Sequence, residues 1–213
     1  MEKGLSISTS YDRVAADYAA RIADELADKP LDRALLHAFA EQVGTLGPVA
    51  DLGCGPGHVA AFLAASGVQV AGFDLSGGMI TQAHRRYPTL TFHQGDMRSL
   101  DVADAMFGGI NAFYSIIHLT EDELVPTFQE WWRVLRPSGF VLVAFHIGEH
   151  VVHLDEWWQQ PVDLDFCFLS VDQVTTALAQ AQFTIKAVIQ RAPYPDVEHP
   201  SQRGYVLAQK GNV

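Results

Sequence analysis

The stretch VADLGCGPGHVAAFLAASGVQVAGFD, Val49 to Asp74, constrains this chain more than any other. A short apolar run, Val49–Leu52, gives way to closely spaced glycines. An apolar helical run, His58–Ala65, follows and is closed by Gly67, and a second apolar run ends at Asp74. Strand, glycine loop, helix, strand is the opening unit of a parallel sheet, because a parallel neighbour is reached only through a crossover. In open sheets of this kind ligands sit at the carboxyl ends of the strands, and the loop Asp51–Gly57 lies at such an end. Gly53 and Gly55 carry no Cβ, so the backbone there can approach a ligand closely.

The rest of the chain extends the pattern. Tyr11, Val14, Ala15, Tyr18 and Ile22 have helical spacing and predict a helix over Tyr11–Asp28, with a second over Leu31–Gln42 that stops near Gly44. The second strand is expected over Val68–Asp74. Ser76 is a candidate N-cap for a helix reaching Tyr87. Strands follow at Leu90–Gln94 and Ile110–Ser115. Thr120 and Glu123 open a helix with Leu124, Phe128, Trp131 and Leu135 on one face; "RPSGF" reads as a turn before the strand Phe140–Phe145. Glu149–Leu169 is rich in aromatics and acids and has no clean period. Ser170 and Gln173 cap a last helix through Ala181. The final strands, Thr184–Gln190 and Gly204–Gln209, are joined by a loop too short for a crossover helix, so they should pair antiparallel. The expectation is an α/β, Rossmann-like three-layer sandwich with a seven-stranded, mostly parallel sheet and an antiparallel last strand. It is read as one domain over 1–213, with an N-terminal helical lid at about 1–45.

Composition removes several function classes. The chain has 213 residues, 48% of them hydrophobic, enough for a sizeable core. A net charge of −11, with 14 basic against 25 acidic residues and no Lys/Arg cluster, argues against a nucleic-acid partner. Cys54 and Cys167 make no disulfide framework. No apolar run is long enough to span a bilayer, and the N-terminus has no signal-like apolar region. These features predict a cytoplasmic protein with no membrane association.

Three nucleotide chemistries compete for the glycine loop. A phosphate-cradling P-loop needs a lysine that is missing here. A dinucleotide loop needs a third glycine where His58 stands, and it leaves Asp51 beside a pyrophosphate that would repel it. S-adenosylmethionine carries an ammonium and a sulfonium in place of phosphates, so an acid beside the glycines attracts it.

At this point DLGCGPG resembles motif I of the class I S-adenosylmethionine-dependent methyltransferases, and the likeness extends from about Tyr11 to the final hairpin. The resemblance implies that Asp51, Gly53, Cys54 and Gly55 meet the cofactor. It further implies that Asp74, in "GFDLSGGMI" with Leu75 and Met79, accepts the ribose hydroxyls. Asp96 would take the adenine amino group beside the Met97 backbone, and "FYSIIHL", with Ser115, would border the reacting methyl. Tyr11 and Tyr18 in "YDRVAADY" look like cofactor or lid contacts. "WWRVLRPSGFVLV" is similar to the family's turn before the fifth strand, with Ser138 in place of the usual first glycine.

Methyl transfer is an in-line displacement for which the cofactor carries the leaving group; the protein aligns the partners and excludes water. A base is needed only where the acceptor must shed a proton early, and His118 and His146, after the fourth and fifth strands, are the candidates. His146, Glu149 and His150 also match HxxEH, with His153 beyond. That metal motif requires a helix, whereas this segment follows a strand, so no metal is expected. Phe113, Tyr114, Trp157, Trp158, Phe166, Phe168 and Tyr194 are candidates for the acceptor pocket. Asn111 lacks the Pro-Pro-aromatic sequel of amino-group methyltransferases acting on bases or glutamine. The expected function is methylation of a small organic acceptor, at oxygen, nitrogen or carbon, by a monomer or homodimer. Alternatives are a non-catalytic S-adenosylmethionine-binding regulator, a nicotinamide-dependent oxidoreductase and a zinc hydrolase.

Overall fold

The computed structural model describes residues 3–211. Residues 1–2 of the expected lid, and 212–213, lie outside the described residues. The strands are β1 (Val49–Leu52), β2 (Val70–Asp74), β3 (Thr91–Gln94), β4 (Phe107–Phe113), β5 (Leu135–His146), β6 (Val151–Trp157), β7 (Gln160–Cys167), β8 (Phe183–Arg191) and β9 (Arg203–Lys210). The helices are α1 (Lys3–Ile22), α2 (Pro30–Val43), α3 (His58–Ala65), α4 (Gly77–Arg86), α5 (Glu121–Val134) and α6 (Val171–Gln180). Seven strands form one sheet in the order β3-β2-β1-β4-β5-β9-β8. The first five pair in parallel, and β9 runs antiparallel to both β5 and β8, as the sequence predicts. The order reverses between β1 and β4, so the crevice of the sheet opens at their carboxyl ends.

β1 is buried along its whole length, which is why it reads as an unbroken apolar run holding one acid. On one face of the sheet α5 and α6 pack Leu124, Phe128, Trp131 and Leu178 onto Ile110, Val141 and Val143. On the other, Leu36, Phe39 and Leu63 from α2 and α3 meet Val49, Leu142 and Tyr205. The buried Trp131 indole donates to the Met97 carbonyl at 3.0 Å, so its polar edge is satisfied. The Ser76 cap forms, and so do the Thr120/Glu123 and Ser170/Gln173 capping boxes.

Several boundaries move for identifiable reasons. α1 begins at Lys3 rather than Tyr11, and Ile7 joins Val14, Val162 and Leu164 in a small core of its own. The helix stops at Ile22, and Glu25–Asp28 forms a separate 3-10 turn ahead of Pro30, which disfavours a helical residue before it. β2 starts at Val70 rather than Val68. β4 starts at Phe107 rather than Ile110 because Gly108 lies against Gly47 and donates to the Pro48 carbonyl at 2.8 Å. α5 ends at Val134, and Leu135 already pairs with Phe107 in the sheet. The register then jumps to Gly109↔Phe140, with Ser138 left-handed at φ 63°, so "RPSG" bulges from β5 instead of preceding it.

The segment without a clean period is a separate β6–β7 hairpin. Its turn residues, Trp158 and Gln159, both have positive φ, 50° and 64°, the primed-turn geometry that glycine or asparagine usually announces. A bulge between Leu154 and Glu156 breaks the alternation of β6. The hairpin docks on α1: the Asp163 amide donates to Ser10 Oγ at 2.9 Å, and Arg13 to the Pro161 carbonyl at 2.9 Å. In turn α1 is tied to α4 through Asp12, which accepts from Ser76 Oγ at 2.6 Å and the Gly78 amide at 2.8 Å.

Candidate active site

The carboxyl edge of the sheet, together with α1, the β6–β7 hairpin and the β8–β9 loop, encloses a cavity of about 540 Å³. Tyr11, Tyr18, Asp51, Gly53, Cys54, Gly55, Asp74, Leu75, Met79, Asp96, Met97, Ser115, His118 and His146 all line it. The sequence-predicted residues thus come together from six separate elements.

One end of the cavity is acidic. Asp51, at 1% exposure, accepts from Asn111 Nδ2 at 2.6 Å through Oδ1, while its Oδ2 has no hydrogen-bond partner. Burial first, with a smaller push from Asp74, raises its carboxyl to about 6, against the pull of Asn111 and His58. Asp74 accepts from the Gly55 amide at 2.8 Å and the Ser76 amide at 2.9 Å; burial also lifts it to about 6. These are carboxylates kept short of compensation, which a cationic ligand with hydroxyl donors would supply. Gly53, at φ 69°, sits so close to β4 that a Cβ would stand 2.3 Å from the Ser115 Cβ. Ser115 is itself held by the Leu52 carbonyl at 2.7 Å. The loop therefore presents bare backbone to the cavity. Cys54 lies within it, its thiol pushed up by burial and the two acids.

Asp96 is more committed than the sequence suggests. Arg98 clasps it in a fork, with bonds of 3.0 and 2.7 Å, and reaches on to Glu123 at 3.0 Å. Burial opposes its charge, but Arg98 outweighs that and holds the carboxyl below the usual range.

At the middle of the cavity Tyr11 and His118 form a pair, Oη to Nε2, at 2.6 Å. His118 Nδ1 lies 2.9 Å from the Asp165 carbonyl of β7. A carbonyl only accepts, so Nδ1 carries the proton and Nε2 accepts from the tyrosine. Burial raises Tyr11 well above its ordinary value, as do Tyr18 and Asp74, so it stays a phenol. Tyr18 is raised in the same way and stands edge-on to Tyr11 and Trp157.

The far end is aromatic and polar. Phe113, Tyr114, Trp157, Phe166 and Phe168 line it. Trp158 does not; it stacks on Trp157, with Arg21 above its ring. Nor does Tyr194, which accepts from the Leu31 amide at 3.1 Å under the Arg191 guanidinium. His146 is held down to about 3 by burial and then by Arg203 and His199, so it is neutral at neutral pH and only weakly basic. The HxxEH residues diverge: His146 bonds Ser201 at 2.7 Å, His150 stacks on Phe168, and His153 pairs with Asp165 at 2.9 Å. No cluster able to hold a metal exists among the described residues.

Sequence reasoning missed the buried charges at this end. Lys29 meets Glu25 at 2.6 Å and Glu198 at 3.7 Å, and His58 meets Glu25 at 2.9 Å. Burial works against the Glu25 charge, but His58 and Lys29 hold it down at about 2. Glu198 also binds Arg191 and Arg203, and Asp32 takes Arg191 with Tyr114 and Tyr205. One signal was there to find: β8 runs the same way as β5, so its loop to β9 must return over the carboxyl edge.

A family model described as a methyltransferase domain matches residues 49–139, the span that carries the glycine loop, Asp74 and Asp96. Over 197 residues, 90% of this chain and 73% of the relative, the sequence is 26% identical to a malonyl-[acyl-carrier protein] O-methyltransferase of Serratia marcescens. From its glycine loop through the first strands the chain is similar to class I S-adenosylmethionine-dependent methyltransferases. A demethylmenaquinone methyltransferase of Beutenbergia cavernae is 35% identical over 55% of this chain, a match that spans 47% of that relative's length. The fold matches that of the magnesium protoporphyrin IX methyltransferase of Synechocystis PCC 6803, solved with bound S-adenosylmethionine. The TM-score is 0.75 over 99% of this chain and 98% of the other, at 15% identity. The residues present suit that cofactor: an orphaned buried carboxylate oxygen, a second acid at the end of β2, and a glycine loop with no room for a side chain at Gly53.

Proposed function

We propose that this protein transfers a methyl group from S-adenosylmethionine to a small organic molecule, in the cytoplasm, as a monomer or homodimer that does not act on nucleic acid. The observation that carries the reading is Asp51 Oδ2, buried without a partner in the same cavity as Asp74. Asp51 would face the ammonium of the cofactor, Asp74 its ribose hydroxyls, and Asp96 with the Met97 backbone its adenine. Asp96 already accepts from the Arg98 amide and guanidinium on both oxygens, so the adenine amino group would share that carboxylate with Arg98. When bound, S-adenosylmethionine supplies a methyl on a sulfonium, a leaving group that needs no proton.

The chain's own contribution is alignment, dryness and proton handling. Together α1 and the β6–β7 hairpin act as the lid, placing Tyr11, Tyr18 and Trp157 over the strand ends. An acceptor hydroxyl gives its proton to Tyr11 Oη as the tyrosine passes its own to His118 Nε2. The resulting imidazolium keeps its Nδ1–H on the Asp165 carbonyl. The negative charge of the chain favours a small acceptor over nucleic acid. Cys54 and Cys167 are both buried and form no disulfide, in keeping with a reducing compartment. No helix among the described residues is long and apolar enough to cross a membrane.

Titration calorimetry with S-adenosylmethionine, its demethylated product S-adenosylhomocysteine and the nicotinamide dinucleotides tests the reading. The expected result is binding of the first two alone. Binding of a dinucleotide with indifference to both sulfur compounds overturns it. Product detection against a metabolite panel then separates an enzyme from a non-catalytic binder.

A further inference from the structure

The two cavity histidines have different partners at Nδ1, a carbonyl for His118 and a hydroxyl for His146. His118 holds its proton on Nδ1, because the Asp165 carbonyl can only accept. At His146 the partner is Ser201 Oγ, 2.7 Å from Nδ1. Ser201 Oγ also contacts Arg203 Nη1, and a guanidinium only donates. The serine oxygen accepts from Arg203, and Nδ1 is the hydrogen-bond acceptor within its reach among the described residues. Assigned to that ring nitrogen, its single O–H gives the hydroxyl both of its hydrogen bonds within the chain. That places the imidazole proton on Nε2. Arg203 is firmly anchored in this position. It is 2% exposed, held by the Ser201 and His199 carbonyls at 2.6 and 2.9 Å, and paired in the sheet with His146 itself. A permanent charge two hydrogen bonds away also opposes a second proton on the ring.

His146 lines the cavity, with its ring tilted against Phe168 and Tyr114 at 5.3 and 5.5 Å. Its Nε2 makes no bond to any described residue and is not sealed from the cavity. A neutral Nε2–H among aromatic rings offers one donor and no acceptor. It matches an oxygen lone pair and mismatches an ammonium or amine N–H, which would leave two donors face to face.

We propose that His146 is the specificity-determining residue of the acceptor site, and that the acceptor is a flat, apolar molecule presenting a carbonyl or carboxylate oxygen to Nε2–H. Ser201 and Arg203 act through it as positioning residues. The proposal rests on the reading of the cavity as a methyltransferase site and names the class of molecule that enters it.

Long-range ¹⁵N NMR on the histidine-labelled full chain reads the tautomers without any cofactor. His146 should show a protonated Nε2 and a bare Nδ1, and His118 the reverse. In Ser201→Ala the His146 signal should shift toward a mixture. Finding His146 protonated on Nδ1, or unmoved by Ser201→Ala, overturns the proposal whether or not S-adenosylmethionine binds.

The second arm uses protein saturated with S-adenosylhomocysteine and three probes of one shape: 2-naphthoate, 2-naphthamide and 2-naphthylmethylamine. The carboxylate or the amide should bind about 10- to 100-fold more tightly than the amine, and the stronger of the two identifies the oxygen. His146→Leu should erase that preference while retaining S-adenosylhomocysteine binding, which also reports its folding. His146→Gln, which keeps a donor, should restore part of it. Equal binding of the amine, no binding of either oxygen probe, or an unchanged preference in His146→Leu overturns the proposal.

Discussion

Asp51→Asn should move stability and cofactor affinity in opposite directions. The wild-type carboxyl is buried at 1% exposure with one oxygen unpaired, and stands at about 6. A free aspartate titrates near ~3.9, and each unit of difference is worth ~1.36 kcal/mol, so the charged form costs the folded chain roughly 3 kcal/mol at neutral pH. Because the folded value lies above the unfolded one, this penalty is full above about pH 6. It narrows as the pH falls toward about 4 and closes at about pH 3, where the acid is protonated in both states. Asparagine has the same shape and no charge, and its Oδ1 can keep the bond from Asn111. Urea denaturation of the apo protein should find the variant more stable by about 1–3 kcal/mol at pH 7.5, the gap shrinking toward zero near about pH 3. Calorimetry on the same protein should find S-adenosylmethionine bound about 10- to 100-fold more weakly, since a charge-assisted contact is gone. A variant that is less stable at pH 7.5, or that binds as tightly as wild type, refutes the assignment of Asp51 as an uncompensated charge awaiting a cation.

Tyr11→Phe keeps the ring packing and removes the proton relay; with an acceptor hydroxyl as nucleophile, kcat should fall by ~10²–10⁴ while S-adenosylmethionine affinity stays within about two-fold. An unchanged kcat removes the Tyr11–His118 pair from the chemistry. Gly53→Ala should destabilise by about 2–5 kcal/mol in denaturation, since it combines left-handed strain with a 2.3 Å contact to Ser115. Gly55→Ala, whose Cβ would meet nothing closer than 3.9 Å, should carry only the strain of about 1–3 kcal/mol. Gln159→Gly relieves a positive φ of 64° in the β6–β7 turn and should stabilise the protein by about 0.5–1 kcal/mol; a loss of stability would mean that the Gln159 side chain anchors the hairpin.

How much of this was legible follows from what each element needs. Central parallel strands are buried on both faces and announce themselves as apolar runs, so β1 and the core of β5 were readable, along with the caps at Ser76, Thr120 and Ser170. The β6–β7 hairpin was not, although Val162, Leu164 and Phe166 alternate. Its turn is Trp-Gln, which carries no turn signal, and a bulge shifts the register of β6. Position 138 shows the same effect: a serine adopts the left-handed backbone at a site where glycine is usual, so the bulge in β5 looked like a plain turn.

The cavity divides along the same line. Its acidic end is built from residues at or next to strand ends: Asp51 and Gly53 around the end of β1, Asp74 at the end of β2, Asp96 just beyond β3. Local sequence sets that geometry, because strand ends and glycine loops are short-range features. The aromatic end is assembled from Lys29 before α2, His118 beyond β4, Phe166 on β7 and Glu198 and Arg203 near the start of β9. No spacing links these positions; only tertiary packing brings Glu198 to Lys29, Arg191 and Arg203 at once. Burying so many charges is tolerable only where each finds a partner, and the ion pairs among them are the condition on which that wall of the acceptor site can exist. The acidic end of the cavity is therefore written locally, in residues that the sequence already groups at strand ends. The aromatic end is written in long-range contacts, and the acceptor preference proposed for His146 would be set there, by the loop that holds Ser201 and Arg203 against it.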